Sequence, residues 1–156
     1  MEYARDVVIV GGVRTAQGKF KGALFDISAV DLGALAIKAT LEQTKVDPEM
    51  IDEVIMGNVL SAGIGQHPAR QAALKAGIPE RIPALTINKM CGSSMKAIML
   101  AATAIRSGES DIMMVGGMES MSQAPFTVSR AKDGKVSMEK PMDTMMVDGL
   151  IDPING

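Results

Sequence analysis

The stretch Pro-Ala-Leu-Thr-Ile-Asn-Lys-Met-Cys-Gly-Ser-Ser-Met-Lys-Ala, Pro83 to Ala97, joins an extended apolar run to a helix opener, and at the join stands Cys91, the one cysteine of the chain. A thiol at a helix N-terminus meets unpaired backbone N–H groups and the positive end of the macrodipole, both of which favour the reactive thiolate form. Gly92 and the small Ser93 and Ser94 leave room for a substrate to approach. Position alone leaves two readings: a nucleophile on a strand-to-helix elbow, or a buried cysteine acting as a small hydrophobe.

The same strand-then-helix unit recurs outward from this stretch. Short Val- and Ile-rich runs alternate with stretches of helical period, the pattern of parallel strands joined by crossover helices. The pattern predicts four strands: Val7 to Val10, ended by Gly11-Gly12; about Glu53 to Val59; about Ala84 to Met90; and Ile112 to Val115, ended by Gly116-Gly117. Three helices are predicted between them. The first starts at Ser28, where Asp31 completes a variant of the capping box, and puts Leu32, Leu35, Ala36 and Ala39 on one face. The second runs from Ala69 to Ala76, with Pro68 in its first turn and Gly77 past its end. The third runs from about Gly92 to Ser107 and ends at Gly108, with Met95, Ile98, Met99, Ala102 and Ile105 as the stripe to bury against a sheet.

Right-handed crossovers put the carboxyl ends of such strands along one edge, where open α/β sheets bind ligands. Cys91 follows the third predicted strand directly, which favours the catalytic reading. After Gly117 the pattern fails: residues 118–156 carry Pro125, Pro141 and Pro153, mixed charges and no clean period. Arg130, Lys132, Lys135 and Lys140, interleaved with Asp133, Glu139 and Asp143, read first as a solvated loop and second as an interaction loop. The end, Ile-Asp-Pro-Ile-Asn-Gly, reads as a chain stopped in mid-loop.

Composition narrows the classes. With 156 residues and 47% hydrophobic content, one domain with a sizeable core is expected. A net charge of -2 gives no electrostatic footprint for nucleic acid, and no window is long and apolar enough to span a bilayer. The opening Met-Glu-Tyr-Ala-Arg-Asp lacks the order of a secretory signal, and one cysteine forms no internal disulfide, so a reducing cytoplasm is the expected compartment. One histidine and one cysteine argue against a structural zinc site, and no metal-binding residue is assigned.

Other candidates are weaker. Gly63-Ile-Gly65 resembles the start of a dinucleotide fingerprint but lies beyond the second predicted strand and runs into Pro68, so it is set aside. His67 precedes a helix-starting proline and reads as a turn residue before it reads as a general base. Asn88 is placed to hold a loop by hydrogen bonds, and strand alternation would send Asn88 and Met90 to one face and Lys89 to the other. The fourteen methionines, Met113 and Met114 among them, read as adaptable core filler. What the residues do not supply is a base for the thiol or a second proton shuttle.

The segments Asn88-Lys89-Met90-Cys91-Gly92-Ser93-Ser94-Met95-Lys96-Ala97 and Gly116-Gly117-Met118-Glu119-Ser120-Met121-Ser122 together resemble the amino-terminal half of a thiolase of the acetyl-CoA acetyltransferase kind. Gly11 to Thr15, Gly57 to Leu60 and Gly63 to Ala73 agree, so the resemblance covers essentially the whole chain. It implies a thiolase-type α/β fold with a mixed, mainly parallel sheet flanked by helices. Residues 1–117 would be the amino-terminal domain without its last strand, and residues 118–156 the start of the loop region that ties dimers into tetramers. It implies that Cys91 attacks an acyl-CoA carbonyl and holds the acyl group as a thioester, with its backbone N–H helping to bind the oxyanion. A second acetyl-CoA then gives acetoacetyl-CoA, and thiolysis is the reverse. Coenzyme A thioesters enter as substrates, with no covalently bound cofactor and no cofactor-binding residue assigned here. Position 94 is Ser where many members have Gly. The activating Gly-His-Pro histidine and the Cys-x-Gly-Gly cysteine of the family belong to a second half that this sequence does not include. The expected partners are a second copy, in a homodimer or tetramer, or that missing half. The alternative is a noncatalytic piece that only self-associates.

Overall fold

A computed structural model describes residues 5–137 and 140–155. Three parallel strands, β1 (Glu53–Gly57), β2 (Ala84–Ile87) and β3 (Met113–Gly117), form one sheet in the order β2-β1-β3. Among the described residues this sheet is parallel, flanked by helices as expected of an α/β fold with a mainly parallel sheet. Helices α1 (Ala29–Thr44) and α2 (Pro68–Lys75) cover one face and α3 (Ser93–Ser107) the other. Side chains alternate across a strand. Val54 and Met56 therefore join the α1–α2 core, while Gly57 lies beneath Ser93 at the start of α3.

Local chemistry sets the element ends. Ser28 caps α1: its Oγ accepts the Asp31 N–H at 3.0 Å and donates to the Asp31 carboxylate at 2.6 Å. Pro68 opens α2, and Gly77 (φ +91°) and Gly108 (φ +80°) take the left-handed conformation that stops α2 and α3. Alanines at 69, 72 and 73, fully buried, let α2 approach α1 closely. The buried cluster runs from Val30, Ile37 and Leu41 through Val54 and Met56 to Ile78 and Ile82.

Three expectations are corrected. Val7 to Val10 is not a strand: its backbone joins no ladder, and Val8, Ile9 and Val10 are 74%, 80% and 69% exposed. The segment has the β propensity of a strand, but a strand also needs a partner. An apolar cavity of about 450 Å³ separates residues 6–13 from β3, walled by Ile37 and Thr40 of α1 and by Ile98, Ala102 and Ile105 of α3. Second, the buried face of α1 is Ala29, Val30, Gly33, Ala34, Ile37 and Leu41, and Leu35 points outward, 54% exposed. Third, α3 buries Ser93, Ala97 and Ala101, while Met95, Ile98 and Met99 of the predicted stripe lie 69%, 45% and 54% exposed. Small residues face the sheet because glycines at the strand ends bring α3 close, leaving the large apolar side chains outside.

Smaller differences concern ends. β2 stops at Ile87, so alternation does not govern Asn88 to Met90, and β3 includes Gly116-Gly117 rather than ending before them. After β3 the chain is irregular, as expected, apart from a short antiparallel pair, β4 (Phe126–Thr127) with β5 (Met142–Asp143), and a wide helical turn at Met145–Leu150. Lys135 pairs with Asp133 at 3.3 Å on an exposed turn. Glu139, expected in this charged loop, lies outside the described residues. No helix among the described residues is long and apolar enough to cross a membrane.

Candidate active site

Cys91 is exposed, at the carboxyl edge of the sheet, in the turn that links β2 to α3. The turn is closed by the Gly92 N–H, which donates to the Lys89 carbonyl at 3.1 Å. Its first central residue, Met90, has φ +49°. This is a position where glycine is at home and a bulky side chain is strained.

Side chains brace the turn from both ends. The Asn88 Oδ1 accepts the Met90 N–H at 3.0 Å, the loop-holding role expected of it. Ser93, 5% exposed, accepts the Lys89 N–H at 2.9 Å and donates its Oγ–H to the Met90 carbonyl at 2.6 Å. The Ser93 N–H also reaches that carbonyl, at 3.1 Å. Among the described residues the Cys91 N–H meets no acceptor, so it is left as an uncommitted donor on the same residue as the thiol.

The strand ends support this turn. A side chain at Gly57 would place its Cβ 2.5 Å from the Ser93 Cβ, and one at Gly117 would come 2.1 Å from the Ser94 Oγ. Ser94 therefore sits where glycine 117 leaves space for it. One residue beyond these glycines, Asn58 is bonded through its N–H to the Ile87 carbonyl at 3.0 Å. Its Nδ2 donates to the Met118 carbonyl at 3.1 Å and to Glu119 at 2.8 Å. The Glu119 carboxylate also accepts the Val59 and Leu60 N–H groups at 2.9 and 3.2 Å, so it ties the exit of β1 to the exit of β3. Burial pushes the Glu119 carboxyl above its ordinary value, while those hydrogen bonds pull the other way.

His67 is not near this chemistry by role: its backbone is left-handed, and its Nδ1 accepts the Arg70 N–H at 3.1 Å to cap α2. The turn reading of this residue is the one that fits. Ser93 and Glu119 received no role from sequence, because each acts on backbone that only the fold brings to it. The one available signal was the pair of glycines before Asn58 and Met118, which marks a close approach at both strand ends.

Residues 7–156 match the family described as thiolase, N-terminal domain. The chain belongs to the thiolase family. It is 56% identical over 151 residues to the acetyl-CoA acetyltransferase of Cupriavidus necator, covering 96% of this chain and 38% of that protein. It is 51% identical over 152 residues to the acetyl-CoA acetyltransferase of Pseudomonas aeruginosa, covering 97% of this chain and 39% of that one. Among solved structures, the Acat5 thiolase of Ascaris suum in complex with coenzyme A superposes with a TM-score of 0.90 at 42% identity, over 96% of this chain and 39% of that one. This thiolase N-terminal region thus spans about 38–39% of the length of these relatives.

Proposed function

We propose that this chain carries the nucleophile of a thiolase-type acyltransferase site, with Cys91 as the acylated residue. The observation that carries the reading is the pairing of an exposed sulfur with an uncommitted backbone N–H on a braced turn at the carboxyl edge of the sheet. In the first step the Cys91 sulfur attacks the carbonyl carbon of an acyl-CoA. A C–S bond forms, the negative charge that develops on oxygen meets the Cys91 N–H, and coenzyme A leaves as its thiolate. In the second, the methyl carbon of another acetyl-CoA, having lost a proton, attacks the acyl-enzyme. Acetoacetyl-CoA forms and the Cys91 thiolate is released; thiolysis is the reverse.

That second step needs a group to take the proton, and in the family it comes with the activating histidine from a second half. His67 is committed to the α2 cap, so a complete site takes those groups from further polypeptide. Coenzyme A thioesters are then the substrates and the cytoplasm the compartment. Residues 1–117 form the sheet domain and 118–156 the start of a loop region. A homodimer or tetramer, or union with the second half, completes the assembly. The exposed apolar face of α3 and the cavity beside β3 favour a covering partner of this kind. They also fit the rival reading, a noncatalytic piece that only self-associates.

Intact mass after incubation with acetyl-CoA tests the proposal, beside a Cys91→Ser control. An acetyl adduct that the control lacks is the expected result. If no adduct forms even when the second half is supplied, the acyltransferase reading fails and the self-association reading stands.

A further inference from the structure

We propose that Ser93, assisted by Asn88, is a positioning residue for acyl transfer: it holds Met90 in its left-handed conformation and thereby fixes the Cys91 N–H as an oxyanion donor. The inference rests on the reading of Cys91 as the acylated residue and adds how the turn is kept in working shape.

The chain spends its local hydrogen bonds on this turn in a particular order. Ser93 is the buried member, and its single oxygen takes one N–H and gives to one carbonyl, bridging the two residues just before Cys91. Asn88 engages the Met90 N–H. With the Lys89 carbonyl bound to Gly92, the N–H and C=O groups of Lys89 and Met90 are all occupied, and the Cys91 N–H stands free among the described residues. Met90 is what makes the bracing necessary. A positive φ at a non-glycine residue persists only where its surroundings over-determine it, and such strain relaxes when a brace is lost. Ser93 is itself held in place, buried at the start of α3 over Gly57, where not even an added Cβ would fit. Relaxation would rotate the peptide between Met90 and Cys91 and carry the N–H away from the oxygen it is to stabilise. The sulfur, already exposed, would stay reachable.

Two reagents separate these effects. With 4-nitrophenyl acetate the sulfur forms a C–S bond to the carbonyl carbon, 4-nitrophenolate leaves, and the thiol proton passes to solvent; an oxyanion develops on the way. Iodoacetamide alkylates the same sulfur with loss of iodide and forms no oxyanion. Ser93→Ala is expected to slow acetylation of Cys91 roughly tenfold or more while alkylation stays near the wild-type rate. Asn88→Ala, an exposed change that spares the core, is expected to move acetylation the same way by less. Adding Met90→Gly to Ser93→Ala removes the strain that the serine opposes, and is expected to restore most of the lost acetylation. Acetylation at the wild-type rate in both Ser93→Ala and Asn88→Ala overturns the proposal. So does a parallel fall in both reactions without rescue by glycine, which marks Ser93 as a packing residue only. If wild-type Cys91 acetylates no faster than it does in the urea-unfolded chain, the reading of Cys91 itself is lost, and this inference with it.

Discussion

A missing side chain decides as much at this site as the sulfur does. Gly57 sits where any Cβ would meet the Ser93 Cβ at 2.5 Å and the Ser93 carbonyl carbon at 3.1 Å, and backbone cannot step aside as a flexible side chain can. Gly57→Ala should therefore lift the start of α3 and destabilise the chain by about 1–3 kcal/mol, read as a lowered midpoint in urea. Gly117→Ala meets mainly the Ser94 hydroxyl, the end of a rotatable side chain, and should cost distinctly less. Equal losses in the two variants would show that the serines, not the helix start, absorb the contact. Ser28→Ala removes the α1 cap and should lower stability by about 1 kcal/mol in the same measurement. The position of Cys91, between a strand and a helix, was legible in sequence. Its supports were not, since Glu119 acts on residues 59 to 61 positions away and Ser93 on a turn whose strain no composition reveals.

Elements whose ends are written in local chemistry lie near their expected bounds, as do the three strands that find partners in the sheet; the run at Val7 to Val10, which finds none, does not. Pro68, Gly77, Gly108 and Ser28 mark helix ends through bonds within a few residues, so α1, α2 and α3 fall close to their expected bounds. Val7 to Val10 has the composition of a buried strand, yet pairing is non-local, and among the described residues nothing hydrogen-bonds to it. The face of α3 was misread because the helix is apolar on two sides, and only the glycines at the strand ends reveal which side lies nearer the sheet. The entry to the sheet is set by Asp52, whose carboxylate accepts the Asp111 and Ile112 N–H groups at 2.7 and 2.9 Å. Hydrogen bonds from Ile112 and then Asp111 hold its carboxyl below the ordinary range. A depressed folded value stabilises above the unfolded one, near pH 4, and the stabilisation is lost as pH falls through the folded value. Thermal midpoints between pH 6 and pH 2 should therefore fall less steeply in Asp52→Asn than in the wild type. Glu119 acts in the opposite sense: with its value raised, its contribution is present at low pH and declines as pH rises through the folded value.

For the whole molecule, the cavity of about 450 Å³ beside β3 and the bare face of α3 set the expected behaviour. Amide hydrogens of Val8, Ile9 and Val10 should exchange nearly as fast as in unfolded chain, and those of Val54, Ile55 and Met56 only on global opening, as hydrogen exchange by mass spectrometry can resolve. Slow exchange at Val8 to Val10 in the isolated chain would mean that another copy has paired with them. The order β2-β1-β3 has one more consequence, which concerns time rather than energy. The central strand is made first, and its neighbours leave the ribosome only with Ala84 onward and then Met113 onward. A nascent chain therefore carries β1 with both edges bare until Ala84–Ile87 is made and with one edge bare until Met113–Gly117 follows, and α1 and α2, complete by Lys75, are there to shield one face before either neighbour arrives.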